Sequence, residues 1–393
     1  MLGMSEAHSD ATNAQLGAQL NSPHKEAADA NRVEDSVSTA SVRQAVARSK
    51  EIDQQIDEDP SRFRMLTGDR PTGKLHLGHY FGTLKGRVEL QNRGVDTWVL
   101  IADYQVITDR DAVGPLKERV LGLVTDYLAC GIDPEKSTIF NHSAVPALNQ
   151  LMVPFLALVT ESELHRNPTV KAELDASGGR AMSGLLLTYP VHQAADIMFC
   201  KANVVPVGQD QLPHLELCRQ IASRFDRRFG RADARRPVFR RPEALLSKAP
   251  NILGTDGNKM SKSRGNTIEL AMTADETAKV LKKAKTDSNR VITYDPSNRP
   301  EVSNLLLMAS LALDEEPEAI AARIGDGGAG MLKNIVTESL NDYLAPIRAR
   351  RKELEQDRGY LESVLAQGNA KANAEADRTL LEVREAMDMV YTG

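Results

Sequence analysis

The chain has 393 residues, of which 41% are hydrophobic and 26% are charged, and its formal net charge is −5. This length allows two domains and excludes a small disulfide-stapled scaffold, while 49 basic against 54 acidic residues exclude an overall positive field for nucleic acid. The three cysteines form no C-x-x-C pair and no apolar run is long enough for a membrane span, so we expect a cytoplasmic protein without structural zinc and without a membrane or DNA as partner.

The first segment, residues 1–60, has no aromatic residue and is rich in alanine, serine, asparagine and acidic residues. Such a composition buries too little apolar surface to order itself, so we expect a mostly disordered N-terminal extension. Residues 41–56 could form a weak amphipathic helix that docks on the rest of the chain.

From residue 61 onward, apolar strands alternate with helical patterns. The predicted strands are residues 63–66, 98–102, 138–141 and 204–207, and the predicted helices between them are 116–130, 148–164, one beginning at Pro190, and 212–225. This alternation predicts an α/β fold with a Rossmann-like doubly wound parallel sheet, which we assign to residues 61–272. Residues 166–180 are polar and contain glycine, which predicts a mobile loop.

The run PTGKLHLGH, at residues 71–79, lies between the first predicted strand and a helical pattern. A strand, a tight turn and a helix N-terminus form a phosphate-binding edge in α/β folds. His76 and His79 share a face of the first helical turn, and Gly78 leaves the backbone open to a ligand. The pair suits a polyphosphate, although a surface helix that happens to carry two histidines would look the same.

Polar side chains follow other predicted strands at their carboxyl ends, where the ligands of a parallel sheet bind. Gln105 follows the second strand, and Asp210 lies in a glycine turn after residues 204–207, where a carboxylate can bind ribose hydroxyls. On the helix after Pro190, Gln193 and Asp196 are one turn apart. A buried Asp196 would need a partner, either a ligand or nearby backbone donors.

Two further segments concentrate positive charge. Residues 224–241 hold eight arginines, which indicates either a nucleic-acid contact or a solvated connector. The word KMSKS at residues 259–263, flanked by glycines, arises by chance below roughly once per million positions. The ammonium groups of Lys259 and Lys262 can close over a leaving pyrophosphate, with hydroxyls from Ser261 and Ser263. A solvated basic loop is the alternative.

After residue 272 the pattern is wholly helical. The predicted helices are residues 276–285, 302–313, 331–355, 360–365 and 374–391. Helices without intervening strands predict a second, C-terminal α-helical domain, which we assign to residues 273–393.

The two motifs together resemble the HIGH and KMSKS signatures of class I aminoacyl-tRNA synthetases, with Leu77 in place of isoleucine. The resemblance narrows to the tryptophanyl-tRNA synthetase family and runs from about residue 65 to residue 389. It is carried by TG at 67–68, residues 71–82, TYP at 188–190 with AADI at 194–197, residues 205–211, the lysine loop and LAPIR at 344–348.

The resemblance implies the roles of individual residues. Asp196 would accept the indole N–H of L-tryptophan, and Tyr189 and Gln211 would hold its α-ammonium and carboxylate region, in a pocket that also includes Gln105 and Gln193. His76, His79, Lys259 and Lys262 would be the catalytic groups. The ATP site would comprise Arg70, Pro71, Thr72, Gly78, His79, Gly208, Gln209, Asp210, Lys259, Met260, Ser261, Lys262 and Ser263.

The same resemblance implies ATP with Mg²⁺ as cofactors, tRNA(Trp) as partner, a homodimer and anticodon recognition by residues 273–393, with no metal site on the protein itself. The amino-acid carboxylate would attack the α-phosphorus of ATP with pyrophosphate leaving in line, a reaction that needs positioning and charge stabilisation and no protein nucleophile. A terminal ribose hydroxyl of the tRNA would then attack the adenylate.

Three residues depart from many bacterial members, which have glutamine at Arg70, histidine at Gln105 and methionine at Gln193. These departures resemble a divergent second bacterial type, and Gln193 with Asp196 also resembles the Gln-x-x-Asp helix of tyrosyl-tRNA synthetases. Tyrosine activation therefore stays open, as does a paralogue that binds RNA or senses amino acids. The intact histidines and lysines argue against an inactive enzyme.

Overall fold

The structure is a computed structural model that describes residues 39–107, 114–176, 181–230, 237–246, 251–261 and 264–391. Within these residues, five parallel strands form one sheet in the order β3-β2-β1-β4-β5. The strands are β1 (Arg64–Asp69), β2 (Asp96–Ile101), β3 (Ser137–Asn141), β4 (Val204–Val207) and β5 (Glu243–Leu246). Chain order reverses between β1 and β4, and the predicted Rossmann-like sheet is confirmed.

The helices cover both faces of the sheet and form the C-terminal region. They are α1 (Thr39–Glu58), α2 (Leu77–His79), α3 (Lys85–Asn92), α4 (Leu116–Ala129), α5 (Pro146–Gln150), α6 (Met152–Leu156), α7 (Glu161–Arg166), α8 (Pro168–Ala176), α9 (Gly184–Phe199), α10 (Leu212–Phe229), α11 (Ala274–Lys282), α12 (Pro300–Leu313), α13 (Pro317–Ile324), α14 (Gly328–Leu354) and α15 (Arg358–Ala386). None of the helices in the described ranges is long and apolar enough to cross a lipid bilayer.

The sheet is buried because its strands carry apolar side chains on both faces, as parallel strands covered by helices do. Every residue of β3 is buried, as is every residue of β2 after Asp96. Trp98, Phe140 and Phe199 pack edge to face with ring centroids 5.3 to 6.0 Å apart. This packing joins β2 and β3 to α9 and fixes the helix that carries the candidate amino-acid site.

Helix α1 covers the β5 edge of the sheet. Ile52 and Ile56 are buried in one cluster with Met65 and Leu245, and the Ser49 hydroxyl accepts a hydrogen bond from the Leu246 N–H at 2.8 Å. The helix predicted over residues 41–56 is thus present, and residues 39–58 are helical where a mostly disordered extension was expected. The rest of that extension, residues 1–38, lies outside the described residues.

Two local predictions before α9 are wrong. The single helix expected over residues 148–164 is divided into α5, α6 and α7, because Pro154 fits only the first turn of a new helix and Thr160 forms a capping box with Glu163 that starts another. The loop expected over residues 166–180 contains helix α8, which buries Val170.

The start of α9 also differs from the prediction. The helix begins at Gly184, capped by the Ser183 hydroxyl, so that Pro190 lies inside it and not at its start. The helix that holds the candidate amino-acid site is therefore about six residues longer at its N-terminus than the sequence indicated.

The C-terminal helices pack back onto the sheet. Arg351 of α14 forms an ion pair with the buried Asp126 of α4 at 2.7 Å. Gly368 lets α15 approach β3 so closely that a Cβ there would lie 1.7 Å from the Ile139 carbonyl oxygen. Two helices were expected over residues 360–365 and 374–391, but the structure has a single helix there, α15. Because α15 packs on β3, the core continues from the sheet into the helical region.

Candidate active site

The two segments predicted to hold ATP meet where the strand order reverses. The turn at residues 70–79 follows β1, the turn at Gly208 follows β4, and Met65 of β1 is in register with Val204 of β4. Carboxyl ends of adjacent parallel strands face the same crevice. This edge of the sheet is therefore the candidate active site.

The histidine turn is held by backbone and ring contacts. The His76 and His79 rings lie 3.7 Å apart between centroids, and the His76 N–H donates to His79 Nδ1 at 3.3 Å. A π-helical turn, Tyr80–Leu84, follows directly, a distortion often found at functional sites. Beneath the turn, the Leu77 N–H donates to the Ile268 carbonyl at 2.9 Å.

Gly78 brings the two signature motifs into contact. A Cβ at Gly78 would lie 3.1 Å from the His76 ring and 3.8 Å from Met260 Cβ, so the missing side chain leaves only a narrow gap. Met260 itself is buried. Gly78 and Lys259 are 181 positions apart in the sequence. The histidine turn and the lysine loop nevertheless form one wall of the crevice.

Asn266 organises the described part of the lysine loop. Its Oδ1 accepts from the Ser261 N–H at 2.8 Å, and its Nδ2 donates to Asp256 Oδ1 at 2.7 Å and to the Lys259 carbonyl at 3.1 Å. Burial opposes ionisation of Asp256, but the hydrogen bonds from Asn266 and Asn258 outweigh it and lower the pKa of Asp256. Lys259 is exposed, while Lys262 and Ser263 lie outside the described residues.

The turn after β4 exposes Gly208, Gln209 and Asp210. A Cβ at Gly208 would lie 2.5 Å from Asp210 Oδ1, so the carboxylate can fold back over this position only if it is glycine. The Gln211 amide donates to the other Asp210 oxygen at 2.8 Å. The turn after β1 likewise exposes Arg70 and Thr72, whereas Pro71 is buried.

A buried ion pair neutralises the carboxylate at the end of β1. Arg87 binds both oxygens of Asp69, and the Tyr127 hydroxyl donates to Asp69 Oδ2 at 2.7 Å. Burial alone would raise the pKa of Asp69, but Arg87 reverses that effect and lowers it. The negative charge beside the histidine turn is therefore compensated, which removes a source of repulsion toward phosphate.

Helix α9 carries three of the residues predicted to bind the amino acid. Tyr189, Gln193 and Asp196 lie along this helix. The first two are half-buried, and Asp196 is 2% exposed. The Tyr189 hydroxyl lies 3.4 Å from His214 Nε2 on α10, beside Gln211 at the start of that helix. Burial lowers the pKa of His214 to about 4, so this imidazole is neutral near pH 7.

Asp196 has a partner that the sequence did not indicate. His142, directly after β3, lies with Nε2 2.8 Å from Asp196 Oδ1, and both side chains are buried. Tyr104, next to Gln105 after β2, stacks on the His142 ring at 6.2 Å. His192, also on α9, packs against His142 at 4.5 Å between ring centroids. Three parts of the fold, α9 and the segments after β2 and β3, thus converge on this carboxylate.

His142, His192 and Asp196 are, among the residues that the structure describes, a group whose ligand atoms lie within 4.8 Å of one another, close enough to hold a metal ion. Each already has a hydrogen-bond partner, because His142 binds Asp196 and His192 binds Asn149 at 2.8 Å. The two imidazoles are tilted by 31° with ring centroids 4.5 Å apart, and the Nε2 of each is already engaged in its hydrogen bond. We therefore describe the group as a hydrogen-bond network and assign no metal to it.

The sequence missed His142, Tyr104 and Asn266. His142 and Tyr104 were within reach, because both follow predicted strands at the same sheet edge that drew attention to Gln105 and Asp210. Asn266 follows the lysine loop by three residues, but its amide contacts depend on an irregular backbone that no periodic pattern reveals.

A Rossmann-like sheet with a histidine turn and a lysine loop side by side at one wall of its crevice defines a nucleotide-binding α/β enzyme of the class I synthetase type. The sequence model of the family described as tRNA synthetases class I (W and Y) matches residues 58–345. The chain belongs to this family, in its tryptophanyl-tRNA synthetase branch.

Individual relatives identify the tryptophanyl-tRNA synthetase branch of the family. A tryptophan–tRNA ligase of Clostridium longisporum is 43% identical over 335 residues, which cover 83% of this chain and 97% of that protein. One from Treponema pallidum is 41% identical over 336 residues, or 83% of this chain and 97% of that protein. The crystal structure of tryptophanyl-tRNA synthetase from Campylobacter jejuni, complexed with ADP and tryptophan, superposes with a TM-score of 0.72 at 31% identity and covers 83% of this chain and 99% of its own.

Proposed function

We propose that the protein is a tryptophan–tRNA ligase, which activates L-tryptophan with ATP and transfers it to the terminal ribose of tRNA(Trp). The observation that carries the proposal is the close approach of Gly78 and Met260, where a Cβ on the glycine would lie 3.8 Å from Met260 Cβ, because it puts the histidine turn and the lysine loop at one crevice. Such a juxtaposition suits a triphosphate whose outer phosphates leave together. The names of the relatives at 41 to 43% identity supply the amino acid.

Activation relies on positioning and charge. His76 and His79, with the bare backbone at Gly78, would bracket the triphosphate, and Lys259 and Lys262 would stabilise the charge that develops on the departing pyrophosphate. The Met260 backbone would meet adenine beside Arg70, Pro71, Thr72, Ser261 and Ser263, and the Gly208, Gln209 and Asp210 turn would bind the ribose. The amino-acid carboxylate is the nucleophile, so no covalent enzyme intermediate is needed.

The amino-acid pocket would lie along α9. Asp196 would accept the indole N–H, while Tyr189 and Gln211 would hold the α-ammonium and carboxylate region, with Gln193 and Gln105 on the pocket walls. An indole offers one donor and no acceptor, which matches a buried carboxylate. Phenylalanine would leave Asp196 without that partner, at a cost of about 1 to 3 kcal/mol or more.

Mg²⁺ would enter with ATP. Two described carboxylates at this edge of the sheet suit this division, because Asp69 is engaged by Arg87 and Tyr127 and Asp210 lies in the turn proposed to bind the ribose. The ion would neutralise part of the triphosphate charge and would be held mainly by ATP itself. The protein residues would then orient the nucleotide and stabilise the leaving group.

The helices after residue 272 would recognise the anticodon of tRNA(Trp). Part of their positive charge has a structural use, because Arg351 pairs with Asp126 and Arg350 donates to the Leu128 carbonyl at 3.1 Å. RNA contacts would therefore involve other exposed side chains of this region, and the exposed Arg227 and Arg228 at the end of α10 would suit the acceptor end.

A homodimer would suit the exposed apolar face of α6. Val153 is 69% exposed and Leu156 is 36% exposed, and their i, i+3 spacing puts them on one side of the helix. A cytoplasmic location would suit the three free cysteines, Cys130, Cys200 and Cys218, since thiols stay reduced there.

ATP–pyrophosphate exchange with tryptophan, tyrosine and phenylalanine tests the proposal. We expect exchange with tryptophan, and phenylalanine slower by about ten-thousandfold, because a site built around a substrate donor rejects the analogue that lacks it. Asp196→Ala should remove most of the preference for tryptophan. Equal or faster exchange with tyrosine would contradict the proposal and would make Gln193, paired with Asp196, the residue that binds a phenol.

A further inference from the structure

His142 has a fixed hydrogen-bonding role in the candidate pocket. Its Nε2 lies 2.8 Å from Asp196 Oδ1, with side-chain exposures of 0% and 3%. A carboxylate only accepts, so His142 Nε2 carries the hydrogen in this contact. Its other nitrogen, Nδ1, is buried and has no hydrogen-bond partner among the residues that the structure describes. The imidazole therefore donates to one of the two Asp196 oxygens through Nε2.

The orientation of the His142 ring is set by two neighbouring rings. Tyr104 stacks on it at 6.2 Å between centroids with an interplanar angle of 18°, and His192 packs against it at 4.5 Å with an interplanar angle of 31°. The Asn149 amide donates to the carbonyls of His142 and Val145 at 2.8 and 3.0 Å, so its oxygen faces His192 Nε2 and accepts from it. The ring cannot turn away from Asp196 without breaking this stack.

The charged and titratable groups around His142 come from two other parts of the fold. Asp196 and His192 lie on α9, Asp103 follows β2, and Tyr104 stacks above. Burial by itself would lower the pKa of His142, but the Asp196 carboxylate, helped by Asp103, raises it above its ordinary value. Burial instead lowers the pKa of His192, which stays neutral. His142 is thus the hydrogen-bond donor to Asp196, and the carboxylate in turn stabilises the protonated form of this imidazole.

We propose that His142 is a specificity-determining positioning residue, which keeps Asp196 an ionised acceptor for the side chain of the amino acid. This inference rests on the proposed function and extends it. Without His142, the buried carboxylate loses the donor that stabilises its ionised form, and it takes up a proton. A protonated Asp196 presents an O–H donor, which an indole cannot accept and a phenol oxygen can. His142 therefore favours tryptophan over tyrosine.

The test compares His142→Gln and His142→Phe with the wild type in ATP–pyrophosphate exchange. The glutamine amide still donates to Asp196, so its kcat/KM for tryptophan should stay within about fivefold of wild type. The phenylalanine variant should lose about thirtyfold or more, through a raised KM for tryptophan with the KM for ATP unchanged. Its ratio of tryptophan to tyrosine exchange should fall.

The pH profile separates this role from a merely structural one. The loss in His142→Phe should shrink as the pH rises, because ionisation restores the acceptor in this variant. Asp196→Asn, which mimics the protonated carboxyl group, should lose tryptophan exchange equally at every pH. His165→Phe is the matched control, because His165 pairs with Glu161 at 3.1 Å in a largely exposed helix, and it should behave like the wild type.

Two results would overturn the inference. One is tryptophan kcat/KM within about threefold of wild type in His142→Phe, and the other is a loss that is the same at every pH. If His142→Phe does not fold, His142→Asn, whose amide is too short to reach the carboxylate, replaces it. A wild type that exchanges tyrosine and not tryptophan would contradict the proposed function, whereas a normal wild type with unaffected His142 variants would contradict this inference alone.

Discussion

The side-chain amide of Asn266 holds the lysine loop by hydrogen bonds to residues on both sides of the turn. It accepts from the Ser261 N–H and donates to Asp256 and to the Lys259 carbonyl, and its side chain occupies the space beside Gly254, where a Cβ would lie 2.3 Å from Nδ2. It is 2% exposed and so is shielded from competition with water. The backbone that presents Lys259 to the crevice therefore depends on Asn266.

Asn266→Ala should lower the rate of tryptophan-dependent pyrophosphate exchange by about tenfold to a hundredfold, because the loop no longer holds Lys259 where pyrophosphate leaves. The KM for tryptophan should barely change, since Asp196 lies on another element. Lys259→Ala combined with Asn266→Ala in a double-mutant cycle is the decisive measurement. The double variant should be little worse than either single one, and fully additive losses would show that Asn266 does not act through Lys259.

The residues that the sequence indicated are those whose signal is local. His76 and His79 share a helical turn, and KMSKS is one uninterrupted word, so each motif lies within a few consecutive residues and the two together identified the site. The pair of His142 and Asp196 is 54 residues apart in the chain and forms only when β3 lies beside α9. A single sequence has no periodicity that links two such positions, which is why Asp196 was predicted and its partner was not.

The elements were predictable where burial imposes one period. The strands β1 to β4 are short apolar runs, and the structure confirms all four, whereas β5 has one charged residue among its four and was missed. The division of residues 148–164 into α5, α6 and α7 depends on a proline and a capping box inside an apolar run. Apolar content alone could not distinguish these three helices from one.

Helix α1 supplies a stability prediction at this scale. Removing residues 1–38 should leave the free energy of unfolding unchanged within about 0.5 kcal/mol, because that segment offers little apolar surface. Ile56→Ala should cost about 2 to 4 kcal/mol, since its side chain is fully buried between the sheet and α1. Denaturant unfolding measures both.

Val46→Ala is the matched control on the same helix, because Val46 is 38% exposed, and it should cost well under 1 kcal/mol. Equal effects of Ile56→Ala and Val46→Ala would show that α1 does not pack on β5 in solution. These substitutions should lower the activity only by reducing the fraction of folded protein, because the cluster between α1 and β5 does not include the His76 turn or the lysine loop.

The whole molecule is braced by contacts between the C-terminal helices and the sheet. Asn369 of α15 exchanges hydrogen bonds with Asn141 of β3 at 3.0 and 3.1 Å, and Asn141 in turn donates to Asp103 at 2.8 Å. Tyr343 of α14 meets the hydroxyl of Tyr80, directly after the histidine turn, at 3.1 Å. The C-terminal helices therefore contact residues next to both the candidate nucleotide site and the candidate amino-acid site.

The dimer proposed above is tested at this same scale through Val153 and Leu156. A charged residue at the centre of an apolar interface costs several kcal/mol per site, so Val153→Asp should shift the protein from dimer to monomer at micromolar concentration. Light scattering after size-exclusion chromatography measures the mass directly. Val291→Asp serves as the control, because Val291 is also an exposed apolar side chain, at 48%, in the segment between α11 and α12. A wild-type protein that elutes as a monomer would contradict the proposed dimer. A Val153→Asp protein that stays dimeric would show that the interface lies on another face.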